Sequence, residues 1–278
     1  MLRRRYFCVF LFWKGEIIMN MSNKGAFIIL AFGSMLVAAC GNDNDIEKHT
    51  LSVAAASDLG PAFRELAENF EADHGISLSF SFGSTGQLAD QIENGAPFDV
   101  FASANVSFIE RLVESGDIIE ESTTPYAFGR IGLMMQATDE GIADDLYDLT
   151  SPDINRISIA NPAHAPYGMA AEDALITSGM LDEVEDKLIY GRNITDAFVQ
   201  IETGNAEVGI IAYSLGRANE DNFHFILLDE DLHEPIEQVI GVVSYSEHQD
   251  AGQAFIDYII HGEGKETMEH FGFYVPEE

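Results

Sequence analysis

Residues 78–95 read LSFSFGSTGQLADQIENG and pass directly from the pattern of a strand to the pattern of a helix. Apolar and small polar residues alternate up to Phe82, and Leu88 and Ile92 then recur at helical spacing. The joint, residues 83–86, places glycines and hydroxyl side chains beside the first unpaired N–H groups of the helix. Such a joint suits a bound anion, although an ordinary helix N-cap is the simpler interpretation of one turn taken alone.

Short apolar strands and amphipathic helices alternate along the rest of the chain, which is typical of an α/β fold with a largely parallel sheet. Two apolar segments, 126–135 and 236–243, interrupt this rhythm. We interpret them as crossing segments that join two lobes over a cleft. Lobe 1 is then expected to comprise residues 50–126 and 239–278, and lobe 2 residues 127–238. Ligands of open α/β sheets bind beyond the carboxyl ends of the strands, so the cleft is the expected site.

The first 40 residues carry the pattern of a bacterial lipoprotein signal peptide. An apolar run over residues 26–39 ends in Val-Ala-Ala-Cys, which predicts that Cys40 becomes the lipidated first residue. The run is too short for a comfortable transmembrane span. Residues 41–49 are polar and acidic and are expected to form a tether. The sequence therefore predicts an extracytoplasmic domain that is anchored to a membrane through lipid.

The chain is strongly acidic, with 47 Asp and Glu residues against 14 Lys and Arg residues and a formal net charge of −33. This balance argues against nucleic acid as a partner, because phosphate binding needs basic patches. The acidic residues are spread along the chain, as on a solvated surface. An anion bound to this protein must therefore be held by local dipoles against a repulsive field.

No familiar signature of an enzyme or a resident cofactor appears in the sequence. The 8 histidines are scattered without an HExxH motif, and no GxxxxGK[ST] phosphate loop is present. A serine hydrolase that used Ser57 would want a Gly-x-Ser-x-Gly elbow, which Ser57 lacks. We therefore expect no catalysis, no cofactor and no direct metal ligand, and we keep an anchored hydrolase as the alternative from another class.

Five turns that follow predicted strands stand out, and most of them open a helix. They are Ser57, Ser84-Thr85, residues 166–168, Asn193-Ile194 and Tyr213-Ser214. If they converge, they supply hydroxyl and backbone N–H donors from both lobes, a set that suits a fully ionised oxyanion. Asp58 and Arg192 are the exceptions among these donors. We expect Asp58 to cap the helix that follows it and Arg192 to form a surface ion pair.

Several segments together carry a resemblance to a known family. They are AAASDL at 54–59, SFGSTGQLADQI at 81–92, GAPFDVFASA at 95–104, NPAHAPYG at 161–168 and GIIAY at 209–213. In this order and spacing they resemble the periplasmic molybdate-binding proteins of ABC importers, over essentially everything after residue 50. The resemblance implies a two-lobed, type II-like periplasmic-binding-protein fold with hinged closure. It also implies a monomer that binds molybdate or tungstate and delivers it to a membrane permease.

The resemblance further implies which residues contact the oxyanion. They are the hydroxyls of Ser57 and Thr85, with Ser84 as a neighbouring candidate, the backbone N–H groups of Tyr167 and Ile194, and the hydroxyl of Tyr213. Two positions depart from the family pattern. Thr85 stands where a serine is more usual, and Thr195 stands where a basic residue is common. Another oxyanion such as sulfate, or an organic acid, remains the alternative ligand.

Overall fold

The computed structural model describes residues 50–276. The predicted signal peptide with Cys40 and the predicted tether lie outside the described residues. Within residues 50–276, no helix is long and apolar enough to cross a lipid bilayer.

The strands form two five-stranded sheets. The first sheet contains β1 (Thr50–Ala56), β2 (Ser77–Gly83), β3 (Val100–Ser103), β4 (Thr124–Gly129) and β10 (Ile236–Val242). The second contains β5 (Ile131–Gln136), β6 (Ile157–Ala160), β7 (Leu188–Gly191), β8 (Val208–Ala212) and β9 (Phe223–Leu227). The strand orders are β2-β1-β3-β10-β4 and β7-β6-β8-β5-β9. β1, β2 and β3 are parallel, as are β6, β7 and β8, whereas β10 and β5 run antiparallel to their neighbours.

Helices cover both sheets. They are α1 (Gly60–His74), α2 (Thr85–Glu93), α3 (Val106–Ser115), α4 (Pro166–Thr177), α5 (Leu181–Val184), α6 (Ile194–Glu202), α7 (Tyr213–Ala218), α8 (Gln249–Ile260) and α9 (Gly262–His270). Contacts group α1, α2, α3, α8 and α9 with the first sheet and α4 to α7 with the second. We call these two groups the first lobe and the second lobe.

The first crossing segment, 126–135, is divided at Arg130 into β4 of the first sheet and β5 of the second. The chain returns to the first sheet ahead of Ile236. Residues 127–129 and 236–238 therefore pair within the first sheet, although the expected boundaries assigned them to lobe 2. The reason is their backbone pairing, because Ile236 lies opposite Gly129 in an antiparallel ladder.

The core of the first lobe holds β1 in place, and with it the turn that follows the strand. Residues 53–56 of β1 are buried between β2 and β3, and the apolar face of α1, with Phe63 and Phe70, packs in the same core. α1 ends at His74 and is followed by Gly75, whose φ of 67° is left-handed and suits glycine. The sheet thus fixes the turns after β1 and β2, while β6, β7 and β8 fix the turns that open α4, α6 and α7.

Candidate functional site

Turns from both lobes meet around a small cavity, which has a volume of about 10 Å³ in this arrangement of the lobes. The first lobe contributes Ser57 and Asp58 after β1 and the Ser84-Thr85 turn after β2, and the second contributes Tyr167 of α4 and Ile194 of α6. Every one of these residues is buried. The turns that were predicted from separate stretches of sequence therefore do lie side by side.

The hydroxyls of Ser57 and Thr85 both accept hydrogen bonds from backbone N–H groups. Thr195 N donates to Ser57 Oγ at 3.3 Å, and Ala104 N donates to Thr85 Oγ1 at 3.3 Å. A hydroxyl that accepts one hydrogen bond still has its own hydrogen to donate. Both side chains can therefore donate into the cavity. Thr195 also holds the two lobes together, since its own hydroxyl donates to the Ser57 carbonyl at 3.0 Å.

Ser84 is placed differently from its neighbour Thr85. Its Oγ donates to the His164 carbonyl at 2.6 Å and lies 2.8 Å from His164 Nδ1. Its single hydroxyl hydrogen is therefore committed to the second lobe. The adjacent Gly86 N donates to the same carbonyl at 3.0 Å. Of the two candidate hydroxyls after β2, Thr85 therefore keeps its hydrogen available to the cavity, and Ser84 joins the lobes.

The backbone N–H groups of Tyr167 and Ile194 lie in the first turns of two helices. α4 begins at Pro166, which has no N–H, so Tyr167 carries the first N–H group of that helix. At the start of α6 the Asn193 side chain accepts from Asp196 N at 2.8 Å. This cap leaves the Ile194 N–H at the wall of the cavity. The positive ends of two helix dipoles thus face the same space.

The expectation that Asp58 caps the following helix is wrong. Neither the short turn Ser57–Leu59 nor α1 has a side-chain N-terminal cap. Instead, Asp58 Oδ2 accepts hydrogen bonds from the Tyr167 hydroxyl and from Gln238 Nε2, both at 2.8 Å. Tyr126 completes the network by donating to Gln238 Oε1 at 2.7 Å. The carboxylate contacts these groups and not the helix end because buried hydrogen-bond donors require an acceptor, and Asp58 Oδ2 is the acceptor within reach.

Burial controls the ionisation of this network. Complete burial raises the pKa of Asp58 from 3.8 to about 6. The hydrogen bonds from Gln238 and Tyr167, and weaker ones from the backbone N–H groups of Asp58 and Leu59, act in the opposite direction. Burial also raises the pKa of the Tyr126 and Tyr167 hydroxyls well above 10, and the charge of Asp58 adds to the effect. Both phenols therefore remain neutral hydrogen-bond donors.

The structure does not bring Tyr213 to the cavity. Its ring lies over the Arg130 guanidinium, 4.6 Å from the ring centroid, and packs against Phe225. Tyr213 is the first residue of α7, and the next residue, Ser214, faces the site instead. Ser214 Oγ donates to the Asp58 carbonyl at 3.0 Å. The turn after β8 thus reaches the site through Ser214.

Comparison with known proteins identifies the family of this two-lobed chain. Residues 51–274 match the family model of the bacterial extracellular solute-binding proteins. The chain belongs to this family. The expected α/β, two-lobed binding-protein fold is confirmed by the periplasmic molybdate-binding protein of Azotobacter vinelandii, whose structure matches with a TM-score of 0.77. That match has 25% sequence identity and covers 82% of this chain and 100% of the other.

Two curated relatives extend over most of this solute-binding protein. The molybdate-binding protein ModA of Rhodobacter capsulatus is 31% identical over 88% of this chain and 93% of its own length. The putative ABC transporter substrate-binding lipoprotein YvgL of Bacillus subtilis is 29% identical over 89% of this chain and 96% of its own length. The resemblance that the sequence motifs indicated is therefore confirmed.

A wider groove adjoins the cavity of this solute-binding protein. It has a volume of about 800 Å³ and shares Ser57, Ser84 and Asn193 with the cavity wall. Arg192 lies on this groove and pairs with Asp196 at 2.5 Å, the surface ion pair that was expected. Within residues 50–276, no cluster of His, Cys, Asp and Glu side chains could hold a metal ion.

Proposed function

We propose that this protein binds molybdate or tungstate between its lobes and delivers it to the membrane permease of an ABC importer. The observation that carries the proposal is the convergence on one cavity of hydroxyls from the first lobe and helix N-termini from the second. The proposed contacts are the hydroxyls of Ser57 and Thr85 and the backbone N–H groups of Tyr167 and Ile194. Tyr213 is left out of this set because its ring packs on Arg130.

Neutral donors suit a fully ionised oxyanion. Each hydrogen bond to a charged acceptor contributes about 1.5–3 kcal/mol, and each helix dipole adds ~0.3–2 kcal/mol depending on burial. These local terms act in a chain whose formal net charge is −33. Short-range donors inside a closed cavity can therefore offset a repulsive long-range field, which falls off over about 8 Å at physiological salt.

The anion would also favour closure of the lobes. Its proposed donors lie on both lobes, so the full set is available only when the lobes are together. A ligand shifts such an equilibrium by the extra contacts that it makes in the closed state. Contacts such as Gly86 N to the His164 carbonyl already join the lobes in the present arrangement.

The hydrolase alternative gains no support from the geometry at Ser57. Its hydroxyl accepts from Thr195 N, whereas the nearby His164 ring contacts Ser84. A nucleophilic serine needs a general base within hydrogen-bond reach of its own oxygen. A binding role without catalysis is therefore the function that we propose.

The cellular location completes the proposal. We infer a monomer on the outer side of a membrane, anchored by lipid at Cys40 and joined to its anchor by residues 41–49. The signal pattern and the similarity to the putative lipoprotein of Bacillus subtilis support this inference. Replacing Cys40 with Ala should abolish incorporation of a radioactive fatty acid, and persistent labelling would contradict the anchor.

Isothermal titration with molybdate, tungstate, sulfate and phosphate tests the proposed ligand. Molybdate and tungstate should bind tightly and compete for one site, because they share charge and nearly share size. Sulfate should bind more weakly because it is smaller than the expected ligand. Tight sulfate binding with no response to molybdate would replace the proposed ligand with the smaller oxyanion.

A further inference from the structure

The wall of the cavity contains one carboxylate oxygen that makes no well-aligned hydrogen bond within the described chain. Asp58 is fully buried, and it lines the cavity. Its Oδ2 accepts from Tyr167 and Gln238, whereas Oδ1 makes no hydrogen bond of good geometry among residues 50–276. The backbone N–H groups of Asp58 and Leu59 interact only weakly with the carboxylate. Buried polar atoms are almost always paired, so an orphan oxygen in a ligand cavity indicates an interaction that forms with the ligand.

Among the described residues, no cationic side chain pairs with Asp58 to balance its charge. Tyr167 faces it from α4, Gln238 from β10 and Tyr126 from β4 behind Gln238. The titratable groups among these are two phenols, and both are neutral donors. No salt bridge reaches Asp58 within the described part of the chain. An ionised Asp58 would therefore place an uncompensated negative oxygen beside a bound dianion.

A proton resolves this conflict. We propose that Asp58 is a ligand-binding residue that holds one proton on Oδ1 against an oxygen of the bound oxyanion, so that binding of a dianion takes up one proton. This inference rests on the proposed function. The protonated carboxyl becomes a donor like the other groups of the cavity, and O–H···O⁻ hydrogen bonds are short and strong. The bond that forms is Oδ1–H, and the proton comes from solvent.

The ionisation of the site agrees with this assignment. Burial already brings the pKa of Asp58 to about 6 before any anion is present. A bound dianion would raise that pKa further, because a like charge disfavours the ionised form. The carboxyl would then be ionised in the free protein and protonated in the complex at neutral pH. Affinity should therefore fall about tenfold per pH unit as the pH rises above about 6, and level off below it.

The test measures proton uptake directly. Molybdate is titrated into the full-length protein in two phosphate-free buffers of different ionisation enthalpy, between about pH 6.5 and about pH 8.5. The wild type should take up about one proton per molybdate at the upper end of this range. Asp58→Asn should take up none and bind with an affinity that is independent of pH, because its amide N–H₂ is a permanent donor.

Asp99→Asn is the matched control. Asp99 is also a buried carboxylate, but Ser52 N and the Ser246 hydroxyl satisfy its two oxygens at 2.7 and 2.6 Å. This variant should keep the proton uptake of the wild type. Molybdate binding by the wild type without proton uptake would overturn the inference and leave the proposed function intact, whatever the folding of the variants. Equal uptake by Asp58→Asn would overturn it too. Absence of molybdate binding to the wild type would overturn both.

Discussion

The Tyr167 hydroxyl donates to Asp58 Oδ2 at 2.8 Å, although the two residues lie 109 positions apart in the chain. Tyr167 belongs to the second lobe and Asp58 to the first, so this hydrogen bond joins the two lobes at the edge of the cavity. Gln238, on the strand that returns to the first sheet, donates to both of them, at 3.0 and 2.8 Å. Contacts between the lobes and part of the cavity wall are therefore formed by the same side chains.

Tyr167→Phe should weaken molybdate binding by about two- to tenfold, because it removes a buried hydrogen bond between the lobes, and such a bond to a neutral carboxyl is worth about 0.5–1.5 kcal/mol. The backbone N–H of residue 167 is retained, so the change isolates the hydroxyl. Titration calorimetry measures the effect. Tyr190→Phe is the control, since Tyr190 is half exposed and should keep the wild-type affinity. Equal affinities for all three proteins would remove the bond between Tyr167 and Asp58 from the closure mechanism.

Gly86→Ala should hold the lobes apart. A Cβ at this position would lie 2.9 Å from the His164 carbonyl oxygen of the other lobe, which is backbone and cannot turn aside. Small-angle X-ray scattering should show that molybdate reduces the radius of gyration of the wild type but not that of the variant. Gly60→Ala is the control, because its Cβ would meet the flexible end of Arg64 at 3.2 Å. A Gly86→Ala variant that closes normally would contradict the interlobe contact described for this turn.

Thr85→Val should reduce molybdate affinity more than Ser84→Ala. The first change removes a hydroxyl that donates to the charged anion, at a cost of about 1.5–3 kcal/mol. The second removes a bond to a neutral carbonyl, at a cost of about 0.5–1.5 kcal/mol. Calorimetric affinities of the two variants give the comparison. The reverse order would make Ser84 the anion donor of this turn.

Asp58 should make stability depend on pH. Its pKa rises from 3.8 to about 6 on folding, so its contribution is fully present below about pH 3.8 and is lost as the pH rises through about 6. The change amounts to about 3 kcal/mol in the free energy of unfolding. Urea unfolding of ligand-free wild type and Asp58→Asn should therefore show the wild type losing stability relative to the variant between about pH 4 and about pH 7. A difference between them that does not vary with pH would contradict the buried position of the carboxylate.

Local patterns in the sequence predicted much of this arrangement. The strand and helix of residues 78–95 correspond to β2 and α2, and Ser57, Thr85 and Ile194 lie where the strand-to-helix turns predicted. Such turns are set by local periodicity and by glycine and hydroxyl residues, which a sequence displays directly.

Long-range pairing decided the features that sequence could not predict. Residues 126–135 are apolar on both sides of Arg130, so their pattern does not reveal that the chain changes sheets there. The position of the Tyr213 side chain was not predictable because it depends on the orientation of the first turn of α7, which a sequence pattern does not show. Two polar residues inside apolar strands, Gln238 and Tyr126, were the available sequence signal for the Asp58 network. Gln238, however, lies 180 positions from Asp58 and 112 positions from Tyr126, so the sequence does not show that they meet. Gly129 is explained only by the fold, since a Cβ there would collide with the Tyr167 hydroxyl.

A crystal structure of the molybdate complex, with anomalous scattering recorded at the molybdenum absorption edge, tests the central claim most directly. The account predicts a single anomalous peak between the lobes, with the oxygens of the anion in hydrogen-bond contact with Ser57, Thr85 and the backbone N–H groups of Tyr167 and Ile194. A peak elsewhere on the protein, or an empty cavity in crystals that contain saturating molybdate, would contradict it.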